Sequence, residues 1–162
     1  MKDDILESSS KCSFYLVDAP ASMLTNWAWQ MSNGNPSTAI RFVRGEKMKT
    51  TQGLFDEFSA AMQFPYYFGE NWDAFRDCLL DLEWLSGDAY GLIITNSHDL
   101  LKGSPQDLDI LIDNLHEAAS EFKEAGKRFV TLFHCEGENK TEVYKTLQSV
   151  GVFFQEISIA VS

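Results

Sequence analysis

The chain has 162 residues, is 44% hydrophobic and carries a formal net charge of −11. Its length suits one domain, and a chain of this size buries enough surface to need no disulfide or metal. The charge works against direct nucleic-acid contact, which depends on Lys and Arg, and three scattered cysteines exclude a disulfide scaffold or a zinc knuckle.

Cys12, Cys78 and Cys135 point to a reducing compartment. The opening MKDDILESSSKCS shows no apolar signal segment, and no later run is long enough for a membrane span. The expected location is the cytoplasm. Residues 1–11 read as a flexible N-terminal tail, and 12–162 as a single domain.

Along the chain, CSFYLVDA (12–19) is apolar and β-prone, and SMLTNWAWQM (22–31) suits a short helix. SNGNPS (32–37) is loop chemistry, followed by a strand in TAIRFVRG (38–45). Residues 51–63 place Leu54, Phe55, Phe58, Ala61 and Met62 on one helical face, and Pro65 forbids continuation. A second helix begins after YYFGEN, with Asn71 as its N-cap. YGLIITNS (90–97) reads as a buried strand. The span 104–126 is a long amphipathic helix capped by Ser104, with Pro105 in its first turn and Gly126 at its end. RFVTLFHC (128–135) is another strand. Residues 139–151 carry a capping-box spacing from Asn139 to Glu142, and 152–161 form a last strand. Strands alternating with helices predict an α/β fold, a mainly parallel sheet covered by helices.

Catalytic motifs are absent: there is no P-loop, GxGxxG or GxSxG pattern. His98, His116 and His134 have no metal-ligand spacing. His134 and Cys135 adjoin on a strand, so their side chains diverge and a structural role is expected.

The second helix breaks a local rule. Glu70, Asp73, Asp77 and Asp81 fall on one stripe, and Asp73/Asp77 and Asp77/Asp81 are like-charge i,i+4 pairs. Each such pair costs roughly 0.2–0.5 kcal/mol in an isolated helix. From Glu70 to Asp88 six acids face one base, Arg76. The helix dipole favours Glu70 and Asp73 but gives little to Asp77 or Asp81. Uncompensated patterns of this kind tend to mark a binding surface.

The run YYFGENWDAFRDCL (66–79) resembles the barstar family of intracellular inhibitors of barnase-type ribonucleases. Tyr67, Phe68, Gly69, Glu70, Asn71, Asp73, Ala74, Asp77, Cys78 and Leu79 match the family motif, and the resemblance extends over about residues 38–135. It implies a barstar-like core with extra elements at both termini. It also implies a non-enzymatic immunity protein that blocks the active site of a basic ribonuclease toxin, or a related toxin domain, in the cytoplasm. Asp77 would enter the site where an RNA phosphate binds, Asp73 would meet a second cation, and Tyr67 would pack against the region of the nuclease's catalytic histidine. Gly69 and Asn71 would shape the loop. Glu70 and Asp81 extend the acidic surface, and Glu124 resembles an acid of the family's long helix. Arg76 stands where the family carries an aromatic residue, and Phe68 lacks a tyrosine hydroxyl. No cofactor, metal, membrane or direct nucleic-acid contact is implied. Two alternatives remain open: a divalent-metal enzyme using Glu70, Asp73 and Asp77, or an acidic module for a basic partner that is not a nuclease.

Overall fold

The computed structural model describes residues 4–6, 11–34 and 37–159. Its sheet has five parallel strands: β1 (Phe14–Asp18), β2 (Thr38–Arg44), β3 (Ala89–Thr95), β4 (Arg128–Cys135) and β5 (Gln155–Ile157). Their order is β2-β3-β4-β1-β5. The helices are α1 (Ala21–Gly34), α2 (Thr51–Met62), α3 (Trp72–Asp81), α4 (Leu108–Glu124) and α5 (Lys140–Ser149). The expected α/β fold is what forms.

Side-chain alternation explains why helices cover both faces. Successive residues of a strand point to opposite sides, so a sheet apolar at every position needs two covers. Phe14, Leu16, Leu92, Ile94, Phe129 and Phe133 enter one core with residues of α2, α3, α4 and α5. Tyr15, Val17, Ile93, Val130 and Leu132 enter the other, against Leu24, Trp27 and Ala28 of α1. All eight residues of β4 are buried, as suits a central strand.

The expected flexible tail is not free where it is described. Asp4–Leu6 forms a 3₁₀ turn, and Ile5 and Leu6 are buried in the second core. Arg128, buried at the start of β4, donates to the Ile5 carbonyl at 3.0 Å and to the Cys12 carbonyl. It thereby spends its guanidinium on backbone oxygens. Burial pushes its pKa down. Residues 1–3 and 7–10 of that expected tail lie outside the described residues.

Several boundaries moved for identifiable reasons. The first helix runs on through Ser32–Gly34, taking part of the expected loop. Ser104 makes no side-chain cap, and Pro105–Asp107 is a 3₁₀ turn before α4 proper. The carboxylate of Asp107 accepts from the Thr51 hydroxyl, so it ties α2 to α4 instead of capping its own helix. Asn139 is already in helical conformation, which removes the expected capping box. The last strand is only Gln155–Ile157, and residues 160 and 161 of the expected strand lie outside the described residues. Asn71, in contrast, caps α3: its side chain accepts from the Ala74 N–H at 2.8 Å. Gly126, with φ of +77°, closes the turn after α4.

In an open parallel sheet, ligands gather where the strand order reverses, beyond the carboxyl ends of the strands. Here that point lies between β1 and β4, and His134 fills it. The imidazole is fully buried. Its Nδ1 accepts from the Asn96 N–H at 3.1 Å, so Nε2 carries the proton and donates to the Ala19 carbonyl at 2.8 Å. Cys135 turns to the other face, where burial pushes its thiol up to about 11. Among the described residues no helix is long and apolar enough to cross a membrane.

His134→Ala would orphan an N–H and a C=O beneath the sheet, and should cost about 2–4 kcal/mol in urea unfolding. Asn71→Ala should cost about 1 kcal/mol by the same measurement, the worth of one N-cap.

Candidate functional surface

The surface is built from the loop between α2 and α3. Gln63 ends α2 in the left-handed region, and the Phe68 N–H closes a turn on the Pro65 carbonyl at 2.9 Å. The turn sorts its aromatics. Phe64 is buried and Phe68 packs edge-on against Phe55 and Phe64, at centroid distances of 5.7 and 5.1 Å. Tyr66 and Tyr67 point outward, 101% and 67% exposed. Their rings meet at 5.7 Å.

Asn71 joins this loop to α3. Its amide oxygen caps the helix, while its Nδ2 donates back to the Gly69 carbonyl at 3.2 Å. A Cβ added at Gly69 would sit 3.2 Å from that same Nδ2, so glycine gives the loop its room. Glu70 between them adopts φ of +51°. A non-glycine residue there stores about 1–2 kcal/mol of backbone strain.

This conformation corrects the expected stripe of four acids. Glu70 precedes α3 and turns toward α2, where its carboxylate accepts from the Gln52 amide at 2.7 Å. The helical row is Asp73, Asp77 and Asp81, all exposed. Opposite them Phe75, Cys78 and Leu79 are buried, and Trp72 packs edge-on to Phe55 and Phe75.

Arg76 does not lie loose within the row. Its Nε donates to Glu117 of α4 at 2.8 Å, and a second nitrogen donates to the other Glu117 oxygen. Its remaining nitrogen is 3.5 Å from Asp77. The pair holds the Glu117 carboxyl below its usual range and raises the Arg76 guanidinium. The cation is thus drawn toward α4, and only Asp77 receives partial compensation. Glu117 was not foreseen. Its signal was the spacing of Glu117, Glu121 and Glu124 along the outward side of α4. Glu124 is exposed at the end of α4, and among the described residues no hydrogen bond or ion pair joins it to α3.

The metal alternative loses its geometry. Glu70 faces α2 while Asp73 and Asp77 face solvent, and no group of three or more His, Cys, Asp or Glu among the described residues could hold an ion. What remains is an exposed aromatic and anionic face, Tyr66 and Tyr67 beside Asp73, Asp77 and Asp81.

A search of curated proteins found no match. Solved structures match over nearly the whole chain. The Aeropyrum pernix ORC2 protein in its ADP form is 10% identical with a TM-score of 0.62, covering 91% of this chain and 42% of its own. Drosophila ORC bound to AT-rich DNA and Cdc6 is 14% identical with a TM-score of 0.50, covering 92% of this chain and 49% of its own. Drosophila ORC bound to GC-rich DNA and Cdc6 gives 12% and 0.51, covering 93% of this chain and 50% of its own. At such identities the likeness is one of fold, and the chain spans half or less of each matched protein.

These matches correct the expected function. Ribonuclease inhibition, toxin immunity and a ribonuclease or toxin partner were implied by the 66–79 motif, yet the full five-stranded arrangement matches origin-recognition proteins. The expectation of no direct nucleic-acid contact is withdrawn too, since the matched Drosophila ORC is bound to DNA. The motif speaks for descent, not for that activity. Residues 38–134, more than half of the chain, match the family model described as barstar (barnase inhibitor), and the chain belongs to that family.

Proposed function

We propose that the chain is a non-catalytic protein-assembly module whose 65–71 loop and α3 dock against a cationic surface of another protein. The observation that carries the reading is Tyr66 and Tyr67, fully and largely exposed, beside the exposed row Asp73, Asp77 and Asp81. Exposed aromatic anchors supply contact area at low entropic cost, and carboxylates steer a basic partner and fix its register. The drawn-aside Arg76 leaves Asp73 and Asp81 available, while Asp77 shares its charge with Arg76. No nuclease or toxin belongs to the reading.

That the module does no chemistry is supported by the state of its possible nucleophile and base. Cys135 is buried with its pKa raised, and both nitrogens of His134 are engaged. The cytoplasm is the compartment of this reading, in keeping with three buried cysteines that all remain free.

Crosslinking from a photoreactive residue at Tyr67, in lysate of the source cells, tests the docking face. The full chain should capture a basic protein, and Asp73→Asn with Asp77→Asn should weaken capture at least about tenfold, as truncated interfacial charges do. Rising salt should weaken it further. Capture indifferent to both substitutions and to salt would overturn the reading.

A further inference from the structure

A cleft of about 380 Å³ opens on the other side of the same loop, between it and α2. Its walls include Phe64, Pro65, Tyr66 and Phe68, and its rim carries Asp56 and Glu70. The two carboxylates are held together by one side chain. Nε2 of Gln52 donates to Asp56 at 3.0 Å and to Glu70 at 2.7 Å. No lysine or arginine among the described residues forms an ion pair with either acid. The left-handed backbone at Glu70 brings its side chain to this rim, away from the α3 row.

Aromatic walls under a paired anionic rim select a particular chemistry. A hard metal ion takes oxygen ligands and gains nothing from phenyl rings. A guanidinium is planar, weakly hydrated, stacks on aromatic faces and donates in a fork to carboxylates. We propose that this cleft receives an arginine side chain of the docked protein, its plane against the aromatic wall and its nitrogens on Asp56 and Glu70. This rests on the reading of the chain as a docking module, but it concerns a separate cleft. Gln52 acts as the positioning residue, holding the two acids at a common spacing before the arginine arrives.

The test uses blocked arginine (N-acetyl-arginine methylamide) titrated into the full isotope-labelled chain, with blocked lysine as comparison. Saturable shifts should appear at the Gln52 side-chain amide and at Phe64 and Phe68. Asp56→Asn with Glu70→Gln should weaken binding at least about tenfold while spectral dispersion shows the fold intact, as expected for loss of charge-assisted bonds. Gln52→Ala should weaken it less. No saturable shift at Gln52, equal affinity for blocked lysine, or shifts confined to Asp73, Asp77 and Asp81 would overturn the proposal. The two readings separate cleanly. Partner capture that needs Asp73 and Asp77 but ignores Asp56→Asn with Glu70→Gln would leave the docking face standing and remove the cleft from it. Arginine binding without any partner capture would do the reverse.

Discussion

The constraint on which the molecule turns is burial of a parallel sheet on both faces. β1, β3 and β4 are buried at nearly every position, so alternate residues must be covered on opposite sides. The family segment alone, residues 38–134, contains β2, β3 and β4 with α2, α3 and α4, and those helices contribute to one core. The second core depends on what lies before it. α1 and the Asp4–Leu6 turn cover that face, and β1 pairs along β4 from Phe14 opposite Thr131 to Asp18 opposite Cys135. β5 then pairs on β1. The terminal extensions are therefore structural parts of the sheet and of its cover.

That arrangement decides which surface is left for recognition. α3 is pinned from below by Phe75 and Leu79 and from the side by the Arg76–Glu117 pair with α4. Its outward row of acids stays outward because the opposite face is committed to the core. The loop before it is equally committed: Phe64 and Phe68 insert, and Tyr66 and Tyr67 are what the turn leaves outside. Mutual repulsion along α3 is spread over solvent and partly offset by Arg76. Phe64, Phe68, Phe75 and Leu79 anchor this face to the core, and anchoring of that kind lowers the ordering cost of an association.

Much of this was legible residue by residue. Apolar runs such as RFVTLFHC announced buried strands, and Asn71 announced a helix start because no competing bond diverts its side chain from Ala74. Ser104 and Asn139 carried similar local signals and failed. Asp107 is taken by Thr51 from another helix, and Asn139 is drawn into a preceding 3₁₀ turn. The partner of Arg76 lies 41 residues away, beyond the reach of any local pattern. Strand order was hidden for the same reason, since placing β1 between β4 and β5 depends on pairings across more than a hundred residues. The left-handed turn at Glu70 left no mark in composition, and it removed one acid from a stripe that spacing alone had drawn.

Family membership does not carry the family's activity here: residues 38–134 match the barstar model, while nearly the whole chain shares its fold with origin-recognition proteins. The central claim is about where this molecule meets another protein. Amide hydrogen exchange of the full chain, with and without its captured partner, tests that most directly. Protection should concentrate in residues 64–81 and leave the carboxyl ends of β1 and β4 unchanged. Protection centred instead on Ala19, Asn96 and His134, with the 64–81 segment unaltered, would contradict it.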